Sequence, residues 1–447
     1  MSENLWDKGV PLDPRVRAFT VGDDWRVDRE LLPWDILGSA AHARCLEAAG
    51  ALDAGEAGAL LAELRRMRED MLAGSWTVSE EDEDGHTAIE RRLSERSGSL
   101  GRKIHLGRSR NDQVALALRL LLRDALLRLI DRLAEFARSQ LEFAERFGDT
   151  PLPGHTHLQA AMPSSWALWS HAWVEAALES MRALRFQLGE VNRSPLGAAA
   201  GFGSPVPLDR ALTARLLGFS GPQRSVVDCI HARARLEERF LHETSVVAGV
   251  VEKLASDVWL YLTREFGYLR LDPSFQTGSS IMPQKANPDV AELLRARCAR
   301  LRARAHEHEA IACKLPSNYH RDLQLLKSPL LLGIREAMEL LEMAALLGRH
   351  LSPVEERLRA AMTADLDAAR RASERALAGL PFRDAYRETA LAKGDEGASA
   401  GVPAHVQAAA RAGLREAAAE LETLSDWAAQ VRLRLDQTLE RLFALGE

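Results

Sequence analysis

This chain of 447 residues has few of the features that mark secreted or membrane proteins. It contains only four cysteines, far apart and without a C-x-x-C pair, which suits reduced thiols in the cytosol. No uninterrupted apolar run reaches the roughly 18 residues that a membrane-spanning helix needs. The opening residues, MSENLWDKGVPLDPR, lack the apolar segment of a secretory signal. We therefore expect a cytoplasmic protein.

The chain also lacks an excess of basic charge. Its 58 Lys and Arg residues are spread throughout and stand against 64 Asp and Glu, a formal net charge of -6. No basic stripe indicates a nucleic-acid partner. The hydrophobic share of 46% and charged share of 27% are ordinary for a globular protein, and the length suffices for two or three domains.

Strand-type alternation is scarce, and long helical patterns dominate instead. Residues 113–147 include neither Gly nor Pro, which predicts a helix about 50 Å long. Similar patterns run over about 164–192 and 233–266. The sequence thus predicts an all-α chain with a long helical bundle, and helices this apolar favour a bundle that several chains share.

Gly and Pro cluster between the long helical patterns, as expected of the loops that connect the helices at one end of a bundle. In addition, composition changes near residues 108 and 350 predict domain boundaries. The predicted domains are an N-terminal helical domain, 1–108, a central long-helix bundle, 109–350, and a C-terminal helical domain, 351–447.

The stretch TGSSIMPQKANPD, 277–289, interrupts the helical pattern. Gly278 permits a tight turn with exposed amides, and Lys285 adds a positive charge. Asn287, followed by proline and aspartate, is typical of a helix N-cap. Amides, a cation and a helix N-terminus suit an anionic group, near which Ser279 could act as a base. The alternative is a flexible surface loop beside an ordinary cap.

Three further stretches contain candidate site residues. In PGHTHLQAAMP, 153–163, we expect a turn that enters a helix, with His157 as a general acid or base and Thr156 and Gln159 as substrate contacts. The alternatives are a capping threonine and a half-buried histidine. The other two stretches, HLGRSRNDQ (105–113) and SNYHRDLQLLK (317–327), contribute Ser109, Arg110, Asn111, Tyr319, Arg321, Gln324 and Lys327. An arginine among them could hold a carboxylate in two-point geometry, and the alternative is an N-cap with solvated arginines.

Two stretches imitate functional sites. HEHE, 306–309, resembles a metal cluster, but histidines two residues apart on a helix point apart, so we expect a solvated surface and no metal. The acidic run SEEDEDGH, 79–86, is expected to be a solvated approach to a helix. His86 at its end could face a pocket.

The four stretches, in this order, resemble the fumarase/aspartase superfamily of elimination enzymes, and within it the argininosuccinate lyase family. GSSIMPQKANPD matches every fixed position of that family's GSSxMPxKxNP loop. Gln284 and Asp289 favour this family over adenylosuccinate lyases, fumarases and aspartases. The opening stretch containing LWDKG fits as well, so the resemblance covers essentially the whole chain.

The resemblance implies a three-domain, mostly helical homotetramer with a twenty-helix core and active sites built from three subunits. It implies cleavage of argininosuccinate to arginine and fumarate, in arginine biosynthesis, without a metal or organic cofactor. Ser279 would be the base, His157 the general acid or its relay, and Glu292 the carboxylate that orients it. Lys285 and Asn287 would hold the developing aci-carboxylate. The implied contacts of the succinate end are Ser109, Arg110, Asn111 and Thr156, and the further substrate contacts are Tyr319, Gln324 and Lys327.

The chain departs from the family pattern at several positions. Gly22 stands where a serine is common, and Ala232 and Ala234 flank Arg233 where carboxylates are usual. Tyr386 replaces a histidine. His155 replaces a tyrosine. The alternatives to the implied function are another fumarate-forming lyase, such as an adenylosuccinate lyase, and a catalytically idle, crystallin-like protein. A helical scaffold that only binds partners comes last.

Overall fold

The computed structural model describes residues 12–392 and 397–443, so the LWDKG stretch lies outside the described residues. Within these ranges the chain is mostly helical, which confirms the all-α prediction. The helices are α1 Pro14–Val21, α2 Asp24–Ala48, α3 Ala54–Leu72, α4 Gly85–Ser97, α5 Arg110–Phe147, α6 Trp166–Val191, α7 Arg210–Leu216, α8 Asp228–His231, α9 Arg235–Tyr261, α10 Asp289–Ala312, α11 Lys327–Arg349, α12 Glu355–Ala361, α13 Ala368–Leu377, α14 Phe382–Leu391 and α15 Ala404–Leu442. Short strands are β1 Pro151–Thr156, β2 Gln159–Ser165, β3 Leu269–Leu271 and β4 Leu351–Pro353.

The long helices pack side by side into a bundle. Helix α5 has 38 residues, or about 57 Å at 1.5 Å per residue, and packs on α6, α11 and α15. Helix α10 packs between α9 and α11. Leucines on several faces of α5, among them Leu121, Leu122 and Leu127, are buried. This helix therefore packs on several sides within one chain.

A second core lies under the N-terminal helices. Leu32 and Ile36 of α2 pack with Leu60 and Leu64 of α3 and with Ile89 of α4. Helix α2 also packs on α5, which ties this layer to the bundle. The long C-terminal helix α15 lies against α5 and α6. The three domain ranges remain a prediction.

The stretch 153–163 forms a β-hairpin, so the expected entry into a helix is wrong. Strands β1 and β2 pair antiparallel and are joined by His157 and Leu158, whose φ angles are +55° and +58°. Two successive residues with positive φ are typical of the tight turn that matches strand twist. Prolines within both strands supply no N–H for a helix. Helix α6 begins only at Trp166, after Ser165 as N-cap.

We expect Gly101→Ala to lower the melting temperature by several degrees. Gly101 opens a short 3-10 helix, and an added Cβ would lie well inside contact distance of the Leu93 carbonyl, which belongs to the backbone of α4 and cannot rotate away. Gly189→Ala on α6 is the matched control, because nothing lies within 4 Å of its Cβ position. The control should melt at or slightly above the parent temperature. Equal melting of the two variants would contradict the packing described.

Candidate active site

A cleft of about 350 Å³ opens between the N-terminal helices and the start of α11. We call it the polar cleft, because charged side chains dominate its lining. Six of the predicted site residues line it, and so do residues that the sequence analysis did not assign. The predicted residues are Arg110, Asn111, Tyr319, Gln324 and Lys327, together with Arg321. The unassigned ones include Arg17, Asp24, Asp28, Glu83, Asp84, His86 and Arg233.

Lys327 lies at the floor of the polar cleft between two carboxylates. Its Nζ is 2.5 Å from Asp24 and 2.6 Å from Asp28, and only 3% of its side chain is exposed. Burial alone would lower the pKa of Lys327, but the two carboxylates outweigh burial and raise it. Burial raises the pKa of Asp24 to about 6, although Lys327 opposes that shift. The lysine is thus a permanent cation that joins α2 to α11.

Helix spacing explains why the two aspartates meet one lysine. Asp24 and Asp28 are four residues apart on α2 and therefore lie on one face. Asp28 also accepts a hydrogen bond of 3.0 Å from the backbone N–H of Gly85, at the start of α4. This i, i+4 pair was the available sequence signal, and the sequence analysis missed it.

Arg110 faces the cleft from the first turn of α5. It donates to Asp84 at 2.9 Å and to Thr87 Oγ1 at 3.0 Å. Burial would raise the pKa of Asp84, but Arg110 and hydrogen bonds from Thr87 outweigh burial and lower it. Ser109 is the N-cap of α5 and forms a capping box with Asp112. Its hydroxyl thus has the capping role that the sequence analysis held open as an alternative.

His86 faces the cleft, as the sequence analysis allowed. It is buried, and its Nδ1 lies 3.7 Å from Asp35. Burial lowers the pKa of His86 to about 4, although neighbouring carboxylates oppose that shift. The imidazole is therefore neutral at physiological pH.

Two predicted contacts hold the N-terminal helix. Arg321 donates to the Thr20 carbonyl at 2.7 Å, and Gln324 donates to the carbonyls of Thr20 and Val21. These carbonyls end α1, where the helix leaves them without intrahelical partners. Gly22 follows with φ +53° and ψ -135°, a conformation that only glycine adopts readily. This backbone conformation explains why glycine, and not serine, stands at position 22.

The loop of residues 277–288, which contains Ser279 and Lys285, lies at the N-terminal end of α10, the end of this helix far from the polar cleft. Thr277 and Asn287 pair through their backbones, the Asn287 side chain donates to the Gly278 carbonyl at 3.2 Å, and Thr277 hydrogen-bonds Asp289. Helix α10 begins at Asp289 with Pro288 at the cap position. The prediction that Asn287 caps this helix is wrong, because its side chain closes the loop instead. Lys285 is exposed, and Ser279 is half-buried.

The β1–β2 hairpin presents Thr156, His157 and Gln159 to solvent. Glu292, in the first turn of α10, accepts a hydrogen bond of 3.2 Å from the Trp259 indole. Among the described residues no hydrogen bond or ion pair joins His157 to Glu292. Their proposed partnership therefore stays a prediction.

One chain does not bring the two groups of predicted residues together. The loop with Ser279 precedes α10, whereas Tyr319 follows its end, and 24 helical residues span about 36 Å. Helix α5 separates Arg110 from the hairpin with His157 in the same way. The predicted site residues thus form two groups at opposite ends of the bundle, which we call the half-sites.

The two imitation stretches differ from expectation. His308 is fully buried, and neither ring nitrogen has a hydrogen-bond partner, so a solvated surface is wrong for this residue, although His306 is exposed. The run 79–86 is not solvated either: Asp82 is buried, pairs with Arg91 at 2.8 Å and accepts hydrogen bonds from Ser79. Packing of the helices and loops thus buries His308 and Asp82, although the composition of these stretches predicted exposed side chains. Across the described ranges, no group of three or more acidic, His or Cys side chains has the arrangement of a metal site.

Comparison with known proteins identifies the family. Residues 8–302 match the protein family described as Lyase. An argininosuccinate lyase of Sorangium cellulosum is 43% identical, over 89% of this chain and 94% of the relative. The chain belongs to the argininosuccinate lyase family. An argininosuccinate lyase of Stenotrophomonas maltophilia is 41% identical, over 87% of this chain and 90% of the relative.

The fold is shared more widely than the family. The crystal structure of EDDS lyase in complex with formate superposes with a TM-score of 0.78 at 24% identity, covering 97% of this chain and 95% of that one. At that identity the likeness concerns the fold alone. Membership of the argininosuccinate lyase family makes the chain a lyase. None of the helices in 12–392 and 397–443 is long and apolar enough to cross a membrane.

Replacing His308 should change how stability depends on pH. Burial lowers the pKa of His308 to about 4, so the unfolded chain takes up this proton near pH 6.5 and the folded chain only near pH 4. Above pH 6.5 the ring is neutral in both states and costs the folded protein nothing. As pH falls below 6.5, protonation of the ring in the unfolded chain lowers the free energy of unfolding. Between pH 7 and pH 5, His308→Leu should gain about 2 kcal/mol of unfolding free energy relative to the parent.

Urea unfolding at the two pH values measures this difference. His306→Leu, on the same helix but exposed, is the matched control and should follow the parent at both pH values. A His308→Leu curve parallel to the parent would show that the ring titrates normally.

Proposed function

We propose that this protein cleaves argininosuccinate to arginine and fumarate by base-catalysed β-elimination. The observation that carries the proposal is the GSSIMPQKANPD loop, set at the N-terminus of a 24-residue helix in a member of the argininosuccinate lyase family. A helix N-terminus and loop amides favour negative charge, which this reaction develops.

The loop supplies the groups for proton removal. Ser279 takes the proton from the carbon beside a carboxylate, and its oxygen already accepts the N–H of Met282 at 3.2 Å. A carbon acid of this kind is very weak, so its carbanion needs a preorganised cationic site. Lys285 and Asn287 hold the resulting aci-carboxylate. The C–N bond then breaks, and the leaving nitrogen takes a proton from His157, which Glu292 orients.

The polar cleft suits the arginine half of the substrate. That half carries a guanidinium, an ammonium and a carboxylate, and the cleft offers both signs of charge. Asp24, Asp28 and Asp84 provide carboxylates, and Arg233 and Tyr319 provide donors for an anion. Ser109, Arg110, Asn111 and Thr156 contact the succinate half, and Gln159, Arg321, Gln324 and Lys327 complete the substrate site.

The half-sites at opposite ends of the bundle support a shared active site in a homotetramer. A loop from one copy reaches the polar cleft of another when bundles pack side by side. Large apolar side chains are exposed on the long helices, including Phe186 on α6, Val246 on α9 and Leu293 on α10. Their burial between copies would stabilise such an assembly. We place the enzyme in the cytoplasm, with arginine biosynthesis as its role.

The proposed chemistry uses no metal and no organic cofactor. Ser279 and His157 move the two protons, and Lys285 with the loop amides balances the developing charge. This division of labour relies on closing the loop over the substrate, because excluding water strengthens each of these contacts.

The direct test is fumarate formation, followed by its ultraviolet absorbance, with argininosuccinate, adenylosuccinate, aspartate and malate offered separately. We expect fumarate from argininosuccinate alone, together with an equal amount of arginine. Fumarate from another of these substrates would contradict the proposed substrate but remain consistent with the proposed elimination mechanism. No product from any of them would refute the proposed function.

Mixed assemblies test the shared active site. Ser279→Ala and Asn111→Ala should each remove nearly all turnover, because each change disables every site of a uniform assembly. Co-expression of the two variants should restore activity well above their sum, since some sites then combine an intact loop with an intact cleft. Ser279→Ala co-expressed with Lys285→Ala is the control: both changes lie on one loop, so no intact loop exists. Restoration in the control, or none in the first pair, would contradict the arrangement.

A further inference from the structure

A second cleft, of about 630 Å³, shares no lining residue with the polar cleft. We call it the basic cleft. The segment that precedes α5 forms one wall and contributes Arg102, Lys103, His105 and Arg108. No acidic side chain lines it among the described residues. Its remaining wall is apolar and includes Leu46 and Pro205.

The basic groups of this cleft differ in how far they are neutralised. Lys103 pairs with Glu56, and His105 lies 2.5 Å from Glu90. Arg102 is exposed and has no ion pair or side-chain hydrogen bond within the described ranges. The cleft thus keeps at least one uncompensated cation at its rim.

Arg108 is a buried cation whose donors are mostly unused. It is 8% exposed and donates from Nη1 to Ser39 at 3.0 Å, while Nε and Nη2 have no hydrogen-bond partner in the described part of the chain. Burial lowers the pKa of Arg108, and the nearby Glu90, Asp112 and Asp35 oppose that shift. Unpaired donors on a buried charge cost free energy.

The carboxylates nearest to Arg108 are engaged elsewhere. Glu90 meets His105, and Asp112 accepts the backbone N–H groups of Ser109, Gly197 and Ala199. Neither forms a hydrogen bond with the Arg108 guanidinium in the described structure. A guanidinium with this arrangement has free donors that match a carboxylate or phosphate.

The apolar wall indicates what the anion is attached to. Leu106 is 46% exposed and lines the cleft, so it offers an apolar surface beside the buried Arg108. Gly107, with φ +75°, lets the segment approach Ser204 and Val206 closely, which brings Pro205 to the opposite wall. A ligand here would meet cations on one side and hydrocarbon on the other.

We propose that the basic cleft binds a small organic anion, a carboxylate or phosphate monoester with an apolar portion. The anionic group lies toward Arg102 and Arg108, and the apolar portion packs on Leu106 and Pro205. This site is separate from the polar cleft, so its ligand is not the substrate of the proposed lyase reaction.

Calorimetric titration of the full chain at constant ionic strength tests the proposal. The probes are phenyl phosphate, benzoate and inorganic phosphate. We expect saturable binding of at least one organic anion, and inorganic phosphate at least about tenfold weaker than phenyl phosphate, because it lacks the apolar contact. Phenyl phosphate alone would identify a phosphate ester site, and benzoate alone a carboxylate site.

Three variants locate the binding. Arg102→Ala should weaken binding at least about tenfold, through loss of a charge-assisted contact. Arg68→Ala is the matched control, because that arginine is exposed on α3 and outside both clefts. Arg321→Ala reports on the polar cleft. Both should bind like the parent.

Several outcomes would overturn the proposal. Absence of saturable binding by both organic anions excludes the site, and inorganic phosphate that binds as tightly as phenyl phosphate excludes the apolar contact. Equal weakening in Arg68→Ala would indicate non-specific charge attraction. Weakening in Arg321→Ala, with none in Arg102→Ala, would place the ligand in the polar cleft.

Discussion

The length of the bundle helices is the constraint on which this structure depends. A helix rises 1.5 Å per residue and cannot fold back, so the two ends of α10 lie about 36 Å apart. The loop with Ser279 and the cleft with Tyr319 are such a pair. In this structure the length of α10 keeps them apart within one chain. The proposed catalysis by both groups therefore requires neighbouring copies, whose contact would bury the exposed apolar residues of the bundle.

The two half-sites are built in different ways. The polar cleft is held by buried charge: Lys327 joins Asp24 and Asp28, and loss of one partner would leave an uncompensated buried ion. Its geometry is therefore set before substrate arrives. The loop around Ser279 is exposed and closed mainly by its own hydrogen bonds, such as Asn287 to Gly278. In the proposed mechanism the rigid cleft of one copy binds the substrate, and the exposed loop of a neighbouring copy removes the proton.

Local patterns predicted what local forces determine. The uninterrupted helix after residue 109 and its serine cap follow from propensity and capping, and both are present. The errors arose where partners distant in sequence decide. His308 and Asp82 look solvated by composition, yet helix packing buries one and Arg91 pairs with the other. The hairpin at His157 was missed for a different reason, since its turn contains neither glycine nor asparagine, the usual residues at positive φ.

Arg233 has alanines on both sides, where the family usually has carboxylates, and a carboxylate further along the chain compensates its charge instead. Ala234 has φ +69°, a strained value for a residue with a Cβ, and a short polar side chain would tolerate it better. Alanine retains the strained backbone but cannot pair with Arg233. Glu237, one turn later and equally buried, lies 3.7 Å from the Arg233 Nε, close enough to compensate the charge but too far for a hydrogen bond. Arg233 lines the cleft with its Nε lacking a hydrogen-bond partner among the described residues, so without flanking carboxylates this side of the cleft favours an anionic group of the proposed substrate.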